Sequence, residues 1–252
     1  MKGVIIAGGT GSRLYPLTAV TNKHLLPVYD CPVIFYPIER LVKAGIKEIL
    51  ITTSTEYTHH FHRLLGDGSQ FGAKLSYAVQ SGPRGIADAL LLAEYFADGE
   101  KIAVVLGDNL FEDDLTPHIK AFQKMKGAAV FVKEHPNARY YGVVELDKKG
   151  KVISIVEKPE NPKSNLCATG IYFYDPDVFK IVRTMKPSAR GEYEITDVNR
   201  TYLKRGKLHN FRLKGAWYDC GDFYWLLRAN NFIAQKHHDF KHEDPTLPFN
   251  EA

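Results

Sequence analysis

The sequence predicts an α/β protein, and three observations carry that prediction. Short apolar runs rich in β-branched residues alternate with stretches of helical periodicity through the first half of the chain. Runs such as Val4–Ala7 and Ile102–Leu106 contain no polar residue, as expected for parallel strands that are buried on both faces. Glycine-containing segments of unusual composition follow two of these runs. Together these features predict three layers, α/β/α, around a mostly parallel central sheet.

Each element of the first half begins and ends at residues that favour a boundary. The strand Val4–Ala7 stops at two glycines, and the helix Val33–Ala44 follows Pro32 and stops before Gly45. In chain order, the remaining elements are predicted at Ile49–Thr53 (strand), Tyr57–Leu65 (helix), Leu75–Val79 (strand), Ile86–Phe96 (helix), Ile102–Leu106 (strand), Thr116–Met125 (helix) and Ala129–Val132 (strand).

The second half has a different rhythm, which predicts a mixed-sheet extension of the same core. Lys148-Lys149-Gly150 separates two β-rich runs and indicates an antiparallel hairpin. No linker divides the halves, so we expect one domain over residues 1–235, with parts at about 1–133 and 134–235, and a polar tail at 236–252. The predicted strands of the second half are Gly142–Leu146, Val152–Glu157, Thr169–Tyr174, Leu208–Leu213 and Ala216–Asp219. Its predicted helices are Pro176–Met185, Ile195–Lys204 and Tyr224–Gln235.

Composition excludes several classes of protein. The 252 residues are 44% hydrophobic and 25% charged, which is typical of soluble globular domains. A net charge of +4, from 33 basic and 29 acidic residues, is too small to indicate a nucleic-acid-binding surface. No apolar run approaches the ~20 residues of a membrane span, and the N-terminus lacks a signal-peptide core. The three cysteines are far apart and odd in number, so we expect a reducing, cytoplasmic location.

A glycine-rich loop, Gly8–Arg13, follows the first strand directly. Glycines let backbone N–H groups approach an anion without a Cβ in the way. The loop fits neither standard phosphate-binding template, because Leu14 replaces the third glycine of G-x-G-x-x-G and the G-x-x-x-x-G-K-[ST] pattern is absent. Arg13 and Lys23 nevertheless supply a guanidinium and an ammonium that suit a triphosphate chain. The alternative is a solvated basic loop that binds nothing.

Seven motifs in a fixed order give the chain a family resemblance. They are Gly8–Thr18 with Lys23, Leu106–Asn109, Tyr141–Val144, Val156–Pro159, Ala168–Tyr172, Pro187–Glu192 and Ile195–Asp197. One such motif could arise by chance, whereas seven in order are very specific. The chain closely resembles the sugar-1-phosphate nucleotidylyltransferases from about residue 1 to 235, and most of all the glucose-1-phosphate thymidylyltransferases in a short form. The resemblance implies a Rossmann-like fold with a nucleotide-binding first part and a sugar-phosphate-binding second part.

The resemblance also implies a reaction. dTTP and glucose 1-phosphate would give dTDP-glucose and pyrophosphate in a single in-line displacement that depends on Mg²⁺. Such an enzyme would be a homo-oligomer, dimer or tetramer, that binds small molecules and neither nucleic acid nor membrane. UTP or another sugar 1-phosphate is an open alternative, since thymine and uracil differ by one methyl group. A nucleotide-sugar-binding protein without activity is a second alternative.

Most site residues are carried over from the matching motifs. Gln80 and Gly85 are expected at the base, because a glutamine amide can both donate and accept hydrogen bonds at a pyrimidine edge and a glycine allows close backbone contact. The catalytic residues would be Arg13, Lys23, Asp108 and Lys158. The nucleotide would be bound by Gly8, Gly11, Ser12, Arg13, Lys23, His24, Gln80, Gly85, Asp108 and Asn109. The sugar phosphate would be bound by Tyr141, Gly142, Glu157, Lys158, Ala168, Tyr172 and Arg190. His24 stands where many longer relatives carry glutamine, and a structural histidine is an equal alternative.

The acidic residues have distinct expected roles. Asp108 follows a strand and a glycine, where a carboxylate suits Mg²⁺, which prefers carboxylate and phosphate oxygens. The resemblance implies that Asp219 is the second ligand, because it follows Trp217 by two positions, as an aspartate follows a tryptophan in the family. Asp222 is expected to cap the following helix instead. Glu157 and Lys158 end a strand together, so we expect their side chains to point to opposite faces.

The longer relatives carry roughly 40 additional C-terminal residues, which the resemblance links to a regulatory nucleotide site. We therefore expect that site to be reduced or absent here, and inhibition by dTDP-rhamnose to be weak or to act at the active site.

Overall fold

The computed structural model describes residues 1–236, so the predicted polar tail lies outside the described residues apart from its first residue. The strands are numbered from the N-terminus, and two very short ones form a hairpin outside the main sheet. The strands are β1 Lys2–Ala7, β2 Pro27–Val28, β3 Cys31–Pro32, β4 Glu48–Ser54, β5 Lys74–Gln80, β6 Ile102–Leu106, β7 Asn109–Phe111, β8 Ala128–Glu134, β9 Gly142–Leu146, β10 Val152–Glu157, β11 Leu166–Tyr174, β12 Leu208–Arg212 and β13 Trp217–Asp219. The α-helices are α1 Phe35–Lys43, α2 Thr58–Leu65, α3 Ile86–Leu91, α4 Glu94–Ala97, α5 Thr116–Gln123, α6 Asp177–Arg183, α7 Ile195–Lys204 and α8 Phe223–Lys236.

One nine-stranded sheet runs through the molecule. Its main path has the order β10-β9-β11-β6-β1-β4-β5, while β8 pairs with β11 and β12 with β8. The strands of the first half, β6, β1, β4 and β5, are all parallel. β11 enters antiparallel to β6, and the β9–β10 hairpin is antiparallel as well. The predicted α/β class, with a parallel centre and a mixed extension, is confirmed.

One edge of β11 pairs with two different strands, β6 and β9, and this leaves a gap in the sheet between them. Its C-terminal half pairs with β6 from Ile171 to Tyr174, whereas its N-terminal half meets β9 at Cys167. Between these regions the pairing of β11 with β8, on its other edge, shifts register, and Gly170 has a φ of +77°. A Cβ on Gly170 would lie only 2.8 Å from the Leu106 side chain, so a glycine is required both for backbone conformation and for space. The gap lies beside the carboxyl end of β6.

Two apolar layers cover the two faces of the sheet. Alternate residues of β1 point to opposite sides: Val4 and Ile6 pack into one core and Ile5 into the other. The first core also contains residues of α3, α6 and α7, and the second contains residues of α1, α2 and α5. The three predicted layers are therefore present.

Most predicted elements agree with the structure to within a few residues, and the differences have local causes. The single helix predicted over Ile86–Phe96 was wrong, because the helix stops at Leu91 and a second short one begins at Glu94. The strands β2, β3 and β7 were not predicted, since two or three residues carry no periodic signal. All three cysteines are free. Within residues 1–236, no helix is long and apolar enough to cross a membrane.

The connection between β1 and β2 is anchored by a buried histidine. His24 is 1% exposed and lies against Gly107, which directly follows β6. A Cβ on Gly107 would lie only 2.8 Å from His24 Cδ2. Asn22 accepts a hydrogen bond from the His24 backbone N–H at 3.0 Å, and its Oδ1 lies 2.5 Å from His24 Nδ1. Burial, together with the neighbouring Lys23 charge, lowers the pKa of His24 to about 3.

This burial predicts a pH-dependent stability. The folded chain keeps His24 neutral, whereas the unfolded chain takes up a proton below the ordinary pKa of 6.5, so stability present above pH 6.5 falls as the pH drops toward 3. Glutamine does not titrate, so His24→Gln should remove this loss. Between pH 7.5 and pH 5, the free energy of unfolding of the variant should fall by about 2 kcal/mol less than that of the wild type. Urea unfolding at both pH values measures the difference. The exposed His59→Gln is the matched control, and equal pH profiles for both variants would contradict the prediction.

Candidate active site

Two carboxylates and two cations from distant parts of the chain meet at one point. Asp108 follows β6 and Asp219 ends β13, while Arg13 and Lys23 lie in the connection after β1. A Cβ on Gly221 would lie 2.7 Å from an Arg13 guanidinium nitrogen, 2.9 Å from Asp219 Oδ1 and 3.5 Å from Asp108 Oδ2. The Lys23 ammonium donates to Asp108 Oδ2. The structure therefore brings these four predicted site residues together.

A two-stranded pairing places the second carboxylate. β13 pairs with β7 so that Asp219 stands opposite Asn109, and the Cys220 N–H donates to the Asp108 carbonyl at 2.9 Å. Trp217 Nε1 donates to Asn109 Oδ1 at 2.6 Å. Asp219 is thus held against the end of β6, although it is separated from Asp108 by more than a hundred residues.

The electrostatics of the pair are asymmetric. Burial is the largest single influence and would raise the pKa of Asp108, but neighbouring groups, chiefly the Lys23 ammonium, together hold that pKa well below its usual range. Burial raises the pKa of Asp219, and the negative charge of Asp108 raises it further. An additional cation between the two carboxylates would relieve this repulsion.

The donor set fits a magnesium ion. Two carboxylate oxygens converge on one space, and Mg²⁺ sites typically use one or two carboxylates together with substrate phosphates. Over residues 1–236 there is no group of three His, Cys, Asp or Glu side chains arranged to hold a metal by themselves.

A cavity of about 200 Å³ extends from this cluster into the gap beside β11. It reaches from the glycine-rich loop to the start of β9 and the end of β10. The predicted site residues that line it are Arg13, Lys23, Asp108, Asn109, Tyr141, Gly142, Glu157, Lys158, Ala168, Tyr172 and Asp219. Residues from both parts of the chain thus share one cavity.

The expectation that Glu157 and Lys158 point to opposite faces was wrong. Both side chains line this cavity, and Lys158 Nζ lies 3.8 Å from Glu157 Oε1. β10 ends at Glu157, and Lys158 has a φ of +41°, so the alternation of a strand no longer applies. This left-handed conformation is uncommon for lysine, and the Lys158 N–H donates to the Tyr141 carbonyl at 3.0 Å to hold it.

Further groups orient the acidic and basic side chains at this end. The Thr196 hydroxyl donates to Glu157 Oε2 at 2.5 Å. Arg190 does not line the cavity; its guanidinium donates to the buried Glu194 at 2.8 Å and lies 3.5 Å from Glu157 Oε1. Arg190 is therefore held at the rim through two carboxylates.

A second cavity, of about 300 Å³, lies on the other side of the glycine-rich loop at the ends of β4 and β5. Gly9, Thr10 and Gln80 line it, together with Ser54, whose buried hydroxyl has no hydrogen-bond partner. Gln80 Nε2 donates to Asp88 Oδ2 at 2.8 Å and to the Gly85 carbonyl at 3.2 Å.

Some predicted site residues line neither of these two cavities. His24 is buried behind the cluster, and Gly85 is shaped by a protein contact, since a Cβ there would lie 2.6 Å from the Tyr193 carbonyl. Asp222 accepts from the Trp225 N–H at 2.9 Å, which confirms its predicted capping role. The predicted residues outside both cavities are Gly8, Gly11, Ser12, His24, Gly85 and Arg190.

Sequence reasoning missed four residues that shape the site. Trp217 and Glu194 line the first cavity, Thr196 holds Glu157, and Asp88 holds Gln80. Thr196 lies in one of the seven motifs and Trp217 begins the family pattern that identifies Asp219, so a role could have been sought for both. Glu194 and Asp88 sit at the beginnings of helices, where an acidic residue normally indicates only a favourable helix end.

Comparisons with known proteins agree with this geometry. The family model described as nucleotidyl transferase matches residues 2–236. A glucose-1-phosphate thymidylyltransferase of Mycolicibacterium smegmatis is 47% identical over 236 residues, which cover 92% of this chain and 82% of the relative. One of Xanthomonas campestris is 48% identical over 92% of this chain and 80% of the relative.

Solved structures show the same fold. A Bacillus anthracis protein assigned the same activity, crystallised in complex with sucrose, superposes with a TM-score of 0.88 at 45% identity, covering 92% of this chain and 94% of that one. UDP-glucose pyrophosphorylase in complex with UDP-glucose has a TM-score of 0.83 at 28% identity, covering 93% and 98%. The resemblance found in the sequence motifs is confirmed, and the chain belongs to the nucleotidyl transferase family.

Proposed function

We propose that this protein transfers a thymidylyl group from dTTP to glucose 1-phosphate, giving dTDP-glucose and pyrophosphate. The observation that carries the proposal is the convergence of Arg13, Lys23, Asp108 and Asp219 between two cavities, with Glu157 and Lys158 at the far end of the first. The relatives reported above, thymidylyltransferases of similar sequence, support the choice of substrates.

The reaction brings two anions together, and the site has the charges to permit this. A sugar phosphate is already an anionic nucleophile, so the protein need not supply a nucleophilic side chain. Catalysis then depends on holding the phosphate oxygen in line with the α-phosphorus and on neutralising charge. Arg13, Lys23 and Lys158 line the same cavity, and we propose that the first two contact the triphosphate and the third contacts the sugar phosphate.

The nucleotide is proposed to lie across the glycine-rich loop. Its base would enter the second cavity beside Gln80, and its phosphates would pass the loop toward Arg13 and Lys23. Backbone N–H groups of the loop would bind phosphate oxygens without obstruction by side chains. Gly85 and His24 would then act by shaping this region rather than by contact.

The sugar is proposed to bind at the opposite end of the first cavity. Glu157, held by Thr196, would accept hydrogen bonds from sugar hydroxyls. Gly142 leaves room there, since a Cβ would lie 3.1 Å from Thr196 Oγ1 and 3.5 Å from Glu157 Oε2. Arg190, at the rim, would reach the sugar phosphate after leaving Glu157.

Asp108 and Asp219 are proposed to hold Mg²⁺. When bound, the ion would neutralise negative charge on the phosphates and help orient them. Lys23 already contacts Asp108, so its ammonium stands beside the same phosphates and keeps that carboxylate ionised. Asp219 accepts from the Gly221 N–H at 3.2 Å, which orients its other oxygen.

A second candidate substrate is UTP. The position of Gln80 favours contact with a base edge that thymine and uracil share, and the similar UDP-glucose pyrophosphorylase structure holds UDP-glucose. The test is a matrix of dTTP, UTP and other triphosphates against several sugar 1-phosphates, with pyrophosphate release as the readout. Highest kcat/KM for dTTP with glucose 1-phosphate is the expected result. Nucleotide binding without pyrophosphate from any pair would contradict an enzymatic function.

Removing one carboxylate charge should impair the chemical step. Asp108→Asn should lower kcat by about 10²–10³-fold, because the magnesium site and the partner of Lys23 are both weakened. Initial rates at saturating substrates and varied Mg²⁺ measure this effect. The control is Asp98→Asn, an exposed residue with a φ of +48°, which asparagine adopts readily. Near-normal kcat for Asp108→Asn would rule out the proposed metal site.

Removing the ammonium at the sugar end should affect one substrate. Lys158→Ala should raise the KM for glucose 1-phosphate at least about tenfold, as expected for the loss of a hydrogen bond to a charged group. The KM for dTTP should change less than about threefold. Lys180→Ala, which removes an exposed lysine on α6, is the control. An equal rise in both KM values would argue against separate ends of the site.

A further inference from the structure

The Gln80 side chain is fixed by two acceptors on one side. Its Nε2 lies 2.8 Å from Asp88 Oδ2 and 3.2 Å from the Gly85 carbonyl oxygen, and the residue is 7% exposed. An ionised carboxylate and a carbonyl only accept hydrogen bonds, so this side of the amide must carry the NH₂ group. Reversing the amide would place three oxygens against each other at a buried position.

The opposite side of the amide therefore presents an acceptor. Gln80 Oε1 lies 3.2 Å from the position that a Cβ on Gly8 would take, so it faces the glycine-rich loop. Both hydrogens of the NH₂ group are used by Asp88 and Gly85. The amide of Gln80, which could in principle both donate and accept toward a base, is restricted here to accepting.

Neighbouring contacts hold the two acceptors in place. The Arg84 guanidinium donates to Asp88 Oδ1 at 2.5 Å, which leaves Oδ2 for Gln80. The Arg84 carbonyl accepts from the Tyr193 N–H at 2.8 Å, and the Tyr193 carbonyl accepts from the Ala87 N–H at 3.1 Å. The backbone on both sides of Gly85 is thus fixed to a separate loop.

We propose that Asp88 is a positioning residue for base selection. By holding the Gln80 amide, it presents Oε1 to pyrimidines that carry an N3–H donor, which thymine and uracil have. Cytosine presents an N3 lone pair at the same place, and two acceptors repel each other. The inference rests on the proposed function, since it assumes that the base binds beside Gln80.

The proposal differs from a purely structural role for Asp88. An ion pair with Arg84 at (i, i+4) on an exposed surface contributes little, and its loss would affect all nucleotides alike. A positioning role changes only the discrimination between bases with and without N3–H. The comparison between dTTP and dUTP serves as an internal control, because both bases carry that donor.

The experiment measures dissociation constants of dTTP, dUTP and dCTP by calorimetry on the full chain with Mg²⁺. Asp88→Ala and Asp88→Leu both remove the acceptor, and the second fills the place of the carboxylate with a larger, branched apolar side chain. In both, the ratio of dCTP to dTTP dissociation constants should fall about tenfold, while the dUTP to dTTP ratio stays within about twofold. Asp88→Glu, which keeps a carboxylate, should retain most of the discrimination. Asp177→Ala, which removes a partly exposed carboxylate on α6, should behave as the wild type.

Two results would overturn the proposal. One is an unchanged dCTP to dTTP ratio in a folded Asp88→Ala or Asp88→Leu variant, with folding checked by thermal unfolding. The other is an equal weakening of all three nucleotides. Pyrophosphate release by the wild type tests the proposed function separately, so discrimination that depends on Asp88 without turnover would contradict the enzymatic function alone.

Discussion

The candidate site depends on placing two carboxylates within reach of one point against their mutual repulsion. Asp108 and Asp219 are brought there by the short pairing of β7 with β13, whose backbone hydrogen bonds leave little freedom at either residue. Lys23 and Arg13 offset part of the repulsion, whereas burial and the negative charge of Asp108 together raise the pKa of Asp219. That residual repulsion is a reason for the site to favour a cation, and in turn the phosphates that accompany it.

The room for two substrates comes from an irregularity in the sheet. If β11 were regular, it would continue straight past the end of β6 and leave no gap in the sheet there. The shifted register and the left-handed Gly170 instead let β11 leave β6 and meet β9, so a cavity forms where parallel strands end. The glycine-rich loop divides this cavity from the second one, and the arrangement separates a sugar end from a base end along one groove.

Several charged groups are effective because a neighbour restricts them. Lys158 joins Glu157 on the same side only through a strained backbone conformation that the Tyr141 carbonyl stabilises. Glu157 is oriented by Thr196, Arg190 by Glu194 and Gln80 by Asp88. In each pair, a residue in a cavity or at its rim already uses some of its hydrogen-bonding groups within the protein. Only the remaining donors or acceptors can bind a ligand.

The sequence by itself determined the class of fold, the order of the long elements and most of the residues around the first cavity. Those features follow from local periodicity, glycine and proline positions and contiguous motifs, all of which are properties of neighbouring residues. Only the tertiary structure decided how the pairing of β7 with β13 holds Asp219 against Asp108, that Glu157 and Lys158 share one side, and that Asp88 restricts Gln80. Each of these depends on backbone pairing or on a dihedral angle set by packing between segments, which neither spacing nor composition specifies.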